Sequence, residues 1–390
     1  MKRNHGSLAS VITTEVLCRR SCQVLRSVLS LLLAVVLVGC TAADRLQPTP
    51  AEEGNGGKSS QTPPVRWSMI RMSSENNGWA IKDGGIFRTN DGGNTWNRVT
   101  PPGVELKGTR ADWAPAYFLD ADRAWIAHNH ERRLTVYRTV NGGQSWTTVD
   151  VDAEGEAQLH FVDEQYGWML LHQGVAMGSE KVAVYSTTDG GETWTKVAGA
   201  GPDGPQGDGS LPFGGIKKGI TFKDGSVGWV TAEDRAPGGG RLYKTTDRGT
   251  TWVKHELQIP EAYKSHSLNI YPPKFFSATE AILPVTFVPG YETIFYTTKD
   301  GGQTWAPTTP VKATITSTAV TYDFVDAKHG WTTDGENIYI SQDGGHTWTV
   351  NPAPSNFRTA KQLQFITPKF GWAVTDDGLM TTTDGGRTWR

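Results

Sequence analysis

Short runs of alternating apolar and polar residues follow one another from about Val65 to the end of the sequence, as in Trp96 to Val99 and Trp146 to Val149. Glycine and aspartate separate the runs. An alternation with a period of two places successive side chains on opposite faces of a strand. Short runs bounded by turn residues are typical of antiparallel hairpins. The pattern therefore predicts an all-β body.

An eight-residue element, called the box below, occurs seven times with the pattern Ser/Thr-x-Asp-x-Gly-x-Ser/Thr-Trp, and one copy departs from it with asparagine in the Asp position. Its third position holds Asp91, Asn141, Asp189, Asp247, Asp300, Asp343 and Asp384. Its last position holds Trp96, Trp146, Trp194, Trp252, Trp305, Trp348 and Trp389. Successive box tryptophans lie 41 to 58 residues apart. One propeller blade takes about 40 to 50 residues, so each box is expected to mark one blade.

A second element precedes the boxes and marks the start of the same unit. Phenylalanines at Phe118, Phe161, Phe222 and Phe324 each stand a few residues before a further tryptophan: Trp125, Trp168, Trp229 or Trp331. The fifth unit is degenerate, with Phe275 followed by Ile282 in the tryptophan position. The aromatic residues are therefore expected to be scaffold.

Each unit can be divided into four short strands, A to D, with the phenylalanine on strand A, the second tryptophan on strand B and the box between strands C and D. Four-stranded units repeated around an axis form a β-propeller. We predict a single seven-bladed β-propeller with four-stranded antiparallel blades. The box aspartates are expected to close the hairpins, since the boxes lack the carboxylate-rich ligand set of a calcium loop. Neither a metal nor a cofactor is predicted.

The N-terminal region has the pattern of an export signal. Basic residues precede an apolar run from Val28 to Val38, which is too short to span a bilayer as a helix. The tetrad that ends at Cys40 resembles a bacterial lipobox, in which the chain is cleaved on the N-terminal side of the cysteine and the cysteine thiol receives a diacylglyceryl group, leaving an acylated N-terminus. Ordinary signal cleavage near Ala42 and an uncleaved anchor are the alternatives. The predicted domains are a signal peptide at 1–39, the acylated cysteine with a flexible Pro/Gly/Ser linker at 40–64, and the propeller at 65–390.

Charge limits the kind of partner. The chain has 38 basic and 40 acidic residues, and loss of 1–39 removes five bases and one acid, leaving 33 − 39 = −6. Such a balance excludes a polybasic surface and predicts no nucleic-acid partner. An acyl group, and not electrostatic attraction, would hold the protein at the lipid bilayer on the extracytoplasmic side, at the cell surface or the periplasmic face.

The boxes resemble the Asp-box, or bacterial neuraminidase repeat, of sialidases, sortilin-type receptors, xyloglucanases and the photosystem II assembly-factor family of cyanobacteria and plastids. The pairing of Phe-x-Asp-x-x-x-Gly-Trp with the box is most similar to the last family, and the resemblance covers 67–390. It implies a propeller that assembles a complex by binding a nascent protein subunit. The same architecture resembles surface lipoproteins of bacteria without photosystems, so the partner stays open.

Two chemical roles are alternatives to a binding role. A glycan-binding or sialidase-like glycoside hydrolase would be expected to carry a Phe/Tyr-Arg-Ile/Leu-Pro motif, and the nearest match, at Phe87, lies inside the first box region and lacks the proline. The local pair Glu233 and Asp234 is more typical of a solvated loop than of paired catalytic carboxylates. His128, His130 and Glu131 have metal-like spacing, but no further ligand can be located from the sequence. The interpretation is a non-enzymatic scaffold.

Loop lengths predict where binding occurs. Units two to five have longer B–C connections than units one, six and seven, and the B–C and D–A connections of a propeller lie on one face. We predict a protein-binding surface formed by 128–134, 171–181, 200–218, 233–241, 256–274 and 284–292. Its candidate anchors are the aromatic and arginine residues Arg132, Arg133, Phe213, Arg241, Tyr263, Tyr271 and Tyr291. The alternative is that these insertions are slack.

Overall fold

The computed structural model describes residues 66–106, 114–130, 133–202, 209–234, 237, 240–312 and 321–390. The signal, Cys40 and the linker lie outside these ranges, as do Glu131 and Arg132. Within the described ranges, no helix is long and apolar enough to cross a bilayer.

The described chain is a β-propeller, which confirms the predicted fold class. Its strands fall into seven successive units, called blades 1 to 7. Blades 1 and 2 contain β1 (Trp67–Met72), β2 (Gly78–Lys82), β3 (Gly85–Thr89), β4 (Asn97–Arg98), β5 (Ala116–Phe118), β6 (Ala124–His130), β7 (Arg133–Thr139) and β8 (Thr147–Val151). Blades 3 and 4 contain β9 (Glu156–Phe161), β10 (Gly167–Ala176), β11 (Ser179–Thr187), β12 (Thr195–Ala200), β13 (Ile216–Phe222), β14 (Gly228–Asp234), β15 (Arg241–Thr245) and β16 (Val253–Lys254).

Blade 5 departs from the pattern because its innermost strand is split. Blades 5 to 7 contain β17 (Ser267–Ile270), β18 (Lys274–Phe275), β19 (Ala281–Val288), β20 (Glu292–Thr298), β21 (Thr321–Phe324), β22 (Gly330–Thr333), β23 (Asn337–Ser341), β24 (Thr349–Pro352), β25 (Gln362–Phe365), β26 (Gly371–Thr375) and β27 (Gly378–Thr382). Both β17 and β18 pair with β19. β17 also pairs with the end of β14, which joins blades 4 and 5 into one eight-stranded sheet.

Each box closes the hairpin between strands C and D through its third residue. In blade 3, Asp189 Oδ1 accepts the Thr187 hydroxyl at 2.7 Å and the Thr193 N–H at 2.9 Å, and Asp189 Oδ2 accepts the Thr193 hydroxyl at 2.5 Å. Asn141 makes the corresponding contacts with an amide and reverses one of them, since its Oδ1 accepts the Ser145 N–H at 3.0 Å and its Nδ2 donates to the Ser145 hydroxyl at 2.8 Å. The hairpin therefore needs the geometry of the side chain more than its charge.

The boxes also fasten one end of every blade. In all seven blades the N–H of the fourth box residue donates to a carbonyl of the turn between strands A and B, as from Gly190 to Gln165 at 2.9 Å. The other six bonds join Gly92 to Asn76, Gly142 to Asp122, Arg248 to Ser226, Gly301 to Thr279, Gly344 to Lys328 and Gly385 to Lys369. We call this side of the ring the box face.

Aromatic rings hold neighbouring blades together. The strand B tryptophan of one blade stacks on the strand A phenylalanine of the next, as with Trp125 on Phe161 at 3.7 Å and Trp168 on Phe222 at 3.6 Å between ring centroids. The same indole N–H donates to the box of that next blade, as from Trp125 to Gly190 O at 2.7 Å. These tryptophans are buried. The repeated aromatic residues therefore connect neighbouring blades, a role that the sequence of a single repeat unit does not show.

Polar side chains on the innermost strands add a second set of interblade bonds. The residue before the strand A phenylalanine, which is His160, Asp323 or Gln364, bridges to the next blade in three places. His160 Nε2 donates to Phe222 O at 2.9 Å, and Asp323 accepts the Phe365 N–H at 2.6 Å. Burial lowers the pKa of His160 to about 4, so this ring is neutral at pH 7.

The ring closes between blades 7 and 1 through two glutamines. Gln364 Oε1 accepts the Met72 N–H at 2.7 Å, and its Nε2 donates to Met72 O at 2.9 Å. Gln362 makes the same pair of bonds with Ile70. Blade 7 has three described strands, and Arg390 begins the fourth by exchanging both backbone bonds with Thr381.

Much of the length that the sequence analysis assigns to loops lies in strands. Within the predicted segments 171–181 and 284–292, the paired strands continue to turns of two or three residues, and in 128–134 the pairing of β6 with β7 extends to His130 and Arg133. The predicted loop 256–274 contains β17, which pairs with two other strands. Sequence patterns missed β17 because two prolines separate it from β18 and its four residues carry no repeat signal.

Candidate functional site

The B–C turns and the D–A connections meet on the side of the ring opposite the box face, and we call this side the loop face. Asn129 Nδ2 at the end of β6 donates to Gly155 O at 2.6 Å, and Gln173 Nε2 in β10 donates to Glu154 O at 3.2 Å. In blade 6 the B–C turn meets the next connection, since Ala353 N donates to Glu336 O at 2.8 Å. The predicted gathering of these connections on one face is seen in these contacts.

The connection from blade 3 to blade 4 is packed against the β10–β11 hairpin. Glu180 N donates to Phe213 O at 2.9 Å, and Gly215 N donates to Gly178 O at 3.0 Å. Leu211 is fully buried in the core between these blades. The described part of this connection, 209–215, is therefore ordered by packing and is not slack.

A buried lysine holds the same connection from inside. The Lys217 side chain is fully buried, and its Nζ lies 2.7–3.3 Å from the carbonyl oxygens of Pro212, Phe213, Gly214 and Gly215. Burial lowers the pKa of Lys217 to about 8, although the nearby Glu180 carboxylate acts in the opposite direction. The ammonium group therefore organises four carbonyl dipoles of one turn.

Glu180 is the buried counterpart of this lysine. Its Oε1 lies 2.8 Å from His172 Nδ1, and its Oε2 accepts the backbone N–H of Lys217 at 2.6 Å. Both Glu180 and His172 are buried. A buried carboxylate is tolerated only when its oxygens are bonded, as they are here. His172 thus belongs to the support of the β10–β11 hairpin.

Phe213 and Arg241 come together on blades 3 and 4. Arg241 begins β15 and lies over the connection at Gly214, where an added Cβ would come within 3.1 Å of its guanidinium. Phe213 is half-buried in the same connection. The adjacent Glu233 carboxylate is 2.7 Å from Lys218 Nζ, so it is neutralised within the surface.

Tyr263, Tyr271 and Tyr291 belong to blade 5. Tyr263 lies in a short 3-10 helix, Glu261–Tyr263, where its hydroxyl donates to Glu292 and its ring lies 4.3 Å from that of Phe287. Burial, with the Glu292 carboxylate beside it, raises the pKa of Tyr263 to about 12. Tyr271 directly follows β17, and its N–H donates to Pro284 O at 3.0 Å. All three tyrosines are half-buried.

β17 joins the blades that carry the two groups. Asn269 pairs with Glu233, and a Cβ placed on Gly240 would lie 3.0 Å from Ile270. We call the surface that carries Phe213, Arg241, Tyr263, Tyr271 and Tyr291 the blade 4–5 platform. Arg133 lies elsewhere, exposed at the start of β7 and 3.3 Å from Asp150 of its own blade. Sequence reasoning missed Lys217 and Glu180, since neither belongs to a repeat.

The chemistry of the platform suits recognition. Its carboxylates have cationic or hydroxyl partners, as Glu233 has Lys218 and Glu292 has Tyr263 and Lys312. Among the residues that the structure describes, no three histidine, aspartate or glutamate side chains are grouped so that they could hold a metal ion. The platform presents aromatic and arginine side chains on a rigid base. These residue types are the ones favoured at binding hot spots.

Comparisons with known proteins agree on the fold. The family model for Sortilin-Vps10 (sortilin, neurotensin receptor 3) matches residues 84–200. No curated protein matches the sequence. Among solved structures, the chain is similar to YCF48 bound to a D1 peptide, with a TM-score of 0.55, 16% identity, and 82% of this chain and 94% of that chain covered.

Two further structures extend the comparison. YCF48 from Cyanidioschyzon merolae has a TM-score of 0.56 and 18% identity, with 82% of this chain and 97% of that chain covered. The GH74 xyloglucanase from Xanthomonas campestris has a TM-score of 0.54 and 15% identity, with 83% of this chain and 54% of that chain covered. At such identities the likeness shows the propeller fold alone. The chain shares that fold with a peptide-binding protein and with a glycoside hydrolase.

Proposed function

We propose that this protein is a non-enzymatic scaffold that binds a segment of a partner protein on the blade 4–5 platform. The observation that carries the proposal is the buried support of the platform by Lys217 and Glu180. A buried charge is costly, and here it fixes the connection that presents Phe213 to solvent. A rigid scaffold that presents half-exposed aromatic residues lowers the ordering cost of binding.

The likeness to YCF48 bound to a D1 peptide supports a peptide or protein ligand for this fold. Together with the Asp-box resemblance, this likeness supports the proposal that the chain acts as an assembly factor. The likeness to a xyloglucanase leaves glycoside hydrolysis as the competing activity. The platform carboxylates described above are held by lysine or tyrosine partners, which favours binding over acid–base chemistry.

The test is affinity capture from solubilised membranes with the tagged mature chain. Phe213→Ala, Arg241→Ala and Tyr271→Ala together are expected to abolish capture of a protein identified with the unaltered chain, since each hot-spot side chain contributes about tenfold or more to affinity. The matched control is Tyr166→Ala with Arg387→Ala, an aromatic residue and an arginine on the box face. Circular dichroism checks that both variants fold.

Equal capture by the platform variant and the control would contradict the platform proposal. Turnover of fluorogenic glycosides by the purified chain, lost on substitution of a platform carboxylate such as Glu233, would establish the hydrolase instead. The two results are independent because capture needs no turnover.

We also propose that Cys40 is acylated and holds the propeller at the outer side of the cytoplasmic membrane or beyond it. The support is the lipobox-like tetrad after the apolar run, together with the absence of any other cysteine after residue 22. Metabolic labelling with a palmitate analogue is expected to mark the unaltered chain and not Cys40→Ala, which should appear in the soluble fraction. Labelling of Cys40→Ala, or its retention in membranes, would contradict the tether.

A further inference from the structure

The β10–β11 hairpin of blade 3 ends in an exposed apolar tip. β10 is ten residues long and β11 is nine, and the two strands are joined by Met177 and Gly178 alone. Met177 is fully exposed and Val175 is 55% exposed. No charged residue lies between Gly174 and Ser179. Within the described ranges these two side chains are the only large exposed apolar residues that lie two positions apart in the chain.

The turn itself gives no reason for a methionine. Met177 has φ 49° and Gly178 has φ 77°, so both turn residues are left-handed. The equivalent turn of blade 1 has the same form, with Asp83 at φ 49° and Gly84 at φ 71°. Aspartate before glycine is a preferred pair for such a turn, whereas an unbranched apolar residue at positive φ is strained. Blade 3 therefore places an apolar side chain where the backbone favours a polar one.

The base of the hairpin is rigid. His172 and Glu180 face each other across the two strands in a buried contact of 2.8 Å, and Ser179 forms a parallel bridge with Gly215 of the next connection. The tip thus projects from a braced support. An exposed apolar side chain at the end of such a rigid hairpin is positioned to insert into a lipid bilayer or into another protein.

The chain enters the propeller on the same face as this tip. Arg66, the first described residue, donates its N–H to Asp83 Oδ1 at 2.8 Å and accepts the Asp83 N–H at 2.9 Å. Asp83 lies in the B–C turn of blade 1, on the loop face. The 25 residues from Thr41 to Val65 reach at most about 90 Å when fully extended. A membrane anchor at Cys40 would therefore hold the loop face within reach of the bilayer.

We propose that the tip of 174–178 inserts into the lipid bilayer and orients the loop face toward the membrane. The inference rests on the proposed tether at Cys40, because two apolar side chains alone give weak partition. Tethering supplies a high local concentration of lipid, so weak insertion suffices to set orientation. The mature net charge of −6 and the uncharged tip favour apolar insertion over attraction to anionic headgroups.

The experiment places a fluorophore at the tip of a chain tethered without its acyl group. A chain from residue 40 with Cys40→Ser retains no cysteine, so Met177→Cys gives a single thiol for an environment-sensitive NBD label. An N-terminal histidine tag tethers this chain to phosphatidylcholine vesicles that contain a nickel-chelating lipid. The matched control carries the label at Val140→Cys, which is also 55% exposed but lies in a box on the opposite face.

With vesicles, the label at 177 is expected to shift to the blue and to be quenched by lipids labelled near the headgroup, while the label at 140 stays unchanged. Val175→Ser in the labelled chain should reduce the inserted fraction by about tenfold, the effect of losing one buried apolar side chain. No shift at 177, or equal shifts at both sites, would overturn the proposal. Loss of protein capture on Met177→Ser without any lipid signal would also overturn it, by showing that the tip binds a protein.

Failure of this experiment and failure of the proposed tether are distinguishable. The histidine tag replaces the acyl group, so the result at the tip does not depend on whether Cys40 is modified. The palmitate labelling of Cys40 is read separately and does not involve the tip. Thermal melts of the labelled chains in the absence of vesicles confirm that each one is folded.

Discussion

Blades 3 and 7 have the same structure at the box face and differ at the loop face. Both have a box whose aspartate accepts the same hydrogen bonds, from Thr193 to Asp189 and from Thr388 to Asp384. On the loop face, β10 and β11 have ten and nine residues, whereas β26 and β27 have five each. Because the box face fixes how the blades pack around the axis, a blade can lengthen only at its other end. Variation in function is therefore expected on the loop face.

The two regions are also stabilised in different ways. We call the loop-face end of blade 3, with its long β10–β11 hairpin, the long side, and the loop-face end of blade 7, with its short strands, the short side. The long side is stabilised by buried charges, since Glu180 and Lys217 hold the connection between blades 3 and 4. The short side contains the closure of the ring, where neutral amides of Gln362 and Gln364 bond to the backbone of blade 1. The buried charges thus support one hairpin, β10–β11. The amides of Gln362 and Gln364 take the place of strand pairing between the first and last blades.

The largest effect is expected from removing the buried ammonium on the long side. Lys217→Met keeps the length of the side chain but leaves the carbonyls of 212–215 without their donor, and Glu180 without a nearby positive charge. Leaving a buried carboxylate without its compensating charge costs about 3–5 kcal/mol in the free energy of unfolding. Urea denaturation at pH 7 measures this loss.

The control for that variant is its neighbour. Lys218→Met removes the partly exposed pair with Glu233, which is expected to cost about 1 kcal/mol or less. A loss of equal size in the two variants would show that the contacts of Lys217 Nζ with the four carbonyl oxygens add nothing to the free energy of unfolding. Recovery of stability when Glu180→Gln is added to Lys217→Met would show that the orphaned carboxylate causes part of the loss.

On the short side, Gln364→Ala is expected to weaken ring closure. The buried amide bonds both the N–H and the C=O of Met72, and the alanine leaves these two groups unsatisfied. The expected cost is about 2–3 kcal/mol. Hydrogen exchange should accelerate in 69–73 and 362–366 before any other interblade interface, as read by mass spectrometry.

Gln158→Ala is the matched control for the closure. Gln158 makes a comparable bond to the next blade, from its Nε2 to Lys218 O at 3.3 Å, but blades 3 and 4 are also joined by continuous chain. A smaller loss and no local acceleration of exchange are expected there. Equal exchange at both interfaces would show that the first and last blades are held as firmly as the others.

The parts of this fold that recur could be predicted from the sequence, and the parts that occur once could not. Seven boxes and their spacing indicate seven blades, because each box reports a local hairpin. The pairing of Trp125 with Phe161 of the next blade is invisible to that logic, since it depends on how hairpins pack. In the degenerate fifth unit, Phe295 of strand C takes over the interblade ring contact with Phe324 at 5.0 Å.

The candidate site was predicted in outline only. Loop lengths indicated the face on which the longer connections lie, because extra residues emerge opposite the boxes. They gave no sign that Lys217 is buried, since its partners are backbone carbonyls of a connection without a repeated motif. They also suggested loops where the structure has long strands, because the β10 extension past His172 is no longer bounded by the repeat. Burial of a charge is a tertiary property that local patterns do not report.

The boxes should behave alike on long and short blades as the pH falls. Hydrogen bonds from Thr187 and Thr193 outweigh burial and hold the pKa of Asp189 at about 2, and the pKa of Asp384 is also about 2. Since the unfolded pKa is about 3.9, each aspartate stabilises the fold above pH 4, and that contribution is lost as the pH falls toward 2. Asp189→Asn and Asp384→Asn should each cost about 0.5–1 kcal/mol at pH 7, after allowance for solvent screening.

The difference from the unaltered chain should shrink in both variants between pH 4 and pH 2, as followed by urea denaturation at several pH values. Asn141→Asp is the reciprocal change, and it should stabilise at pH 7 and lose that gain in acid. A constant difference at every pH would mean that the box aspartates act through shape alone. Unequal effects in blades 3 and 7 would break the equivalence of the two boxes.

An effect as small as that of the box variants is expected at the tip that distinguishes blade 3 most clearly from blade 1. Met177→Asn replaces a strained apolar residue at φ 49° by one that tolerates the left-handed region, as Asp83 does in blade 1. The free energy of unfolding should rise by about 0.5–1 kcal/mol, measured in urea, while Val175→Thr in the same hairpin leaves it unchanged. A stabilised variant that loses insertion into vesicles would show that the methionine is kept at the expense of the fold. A destabilised variant would show that Met177 supports the hairpin itself.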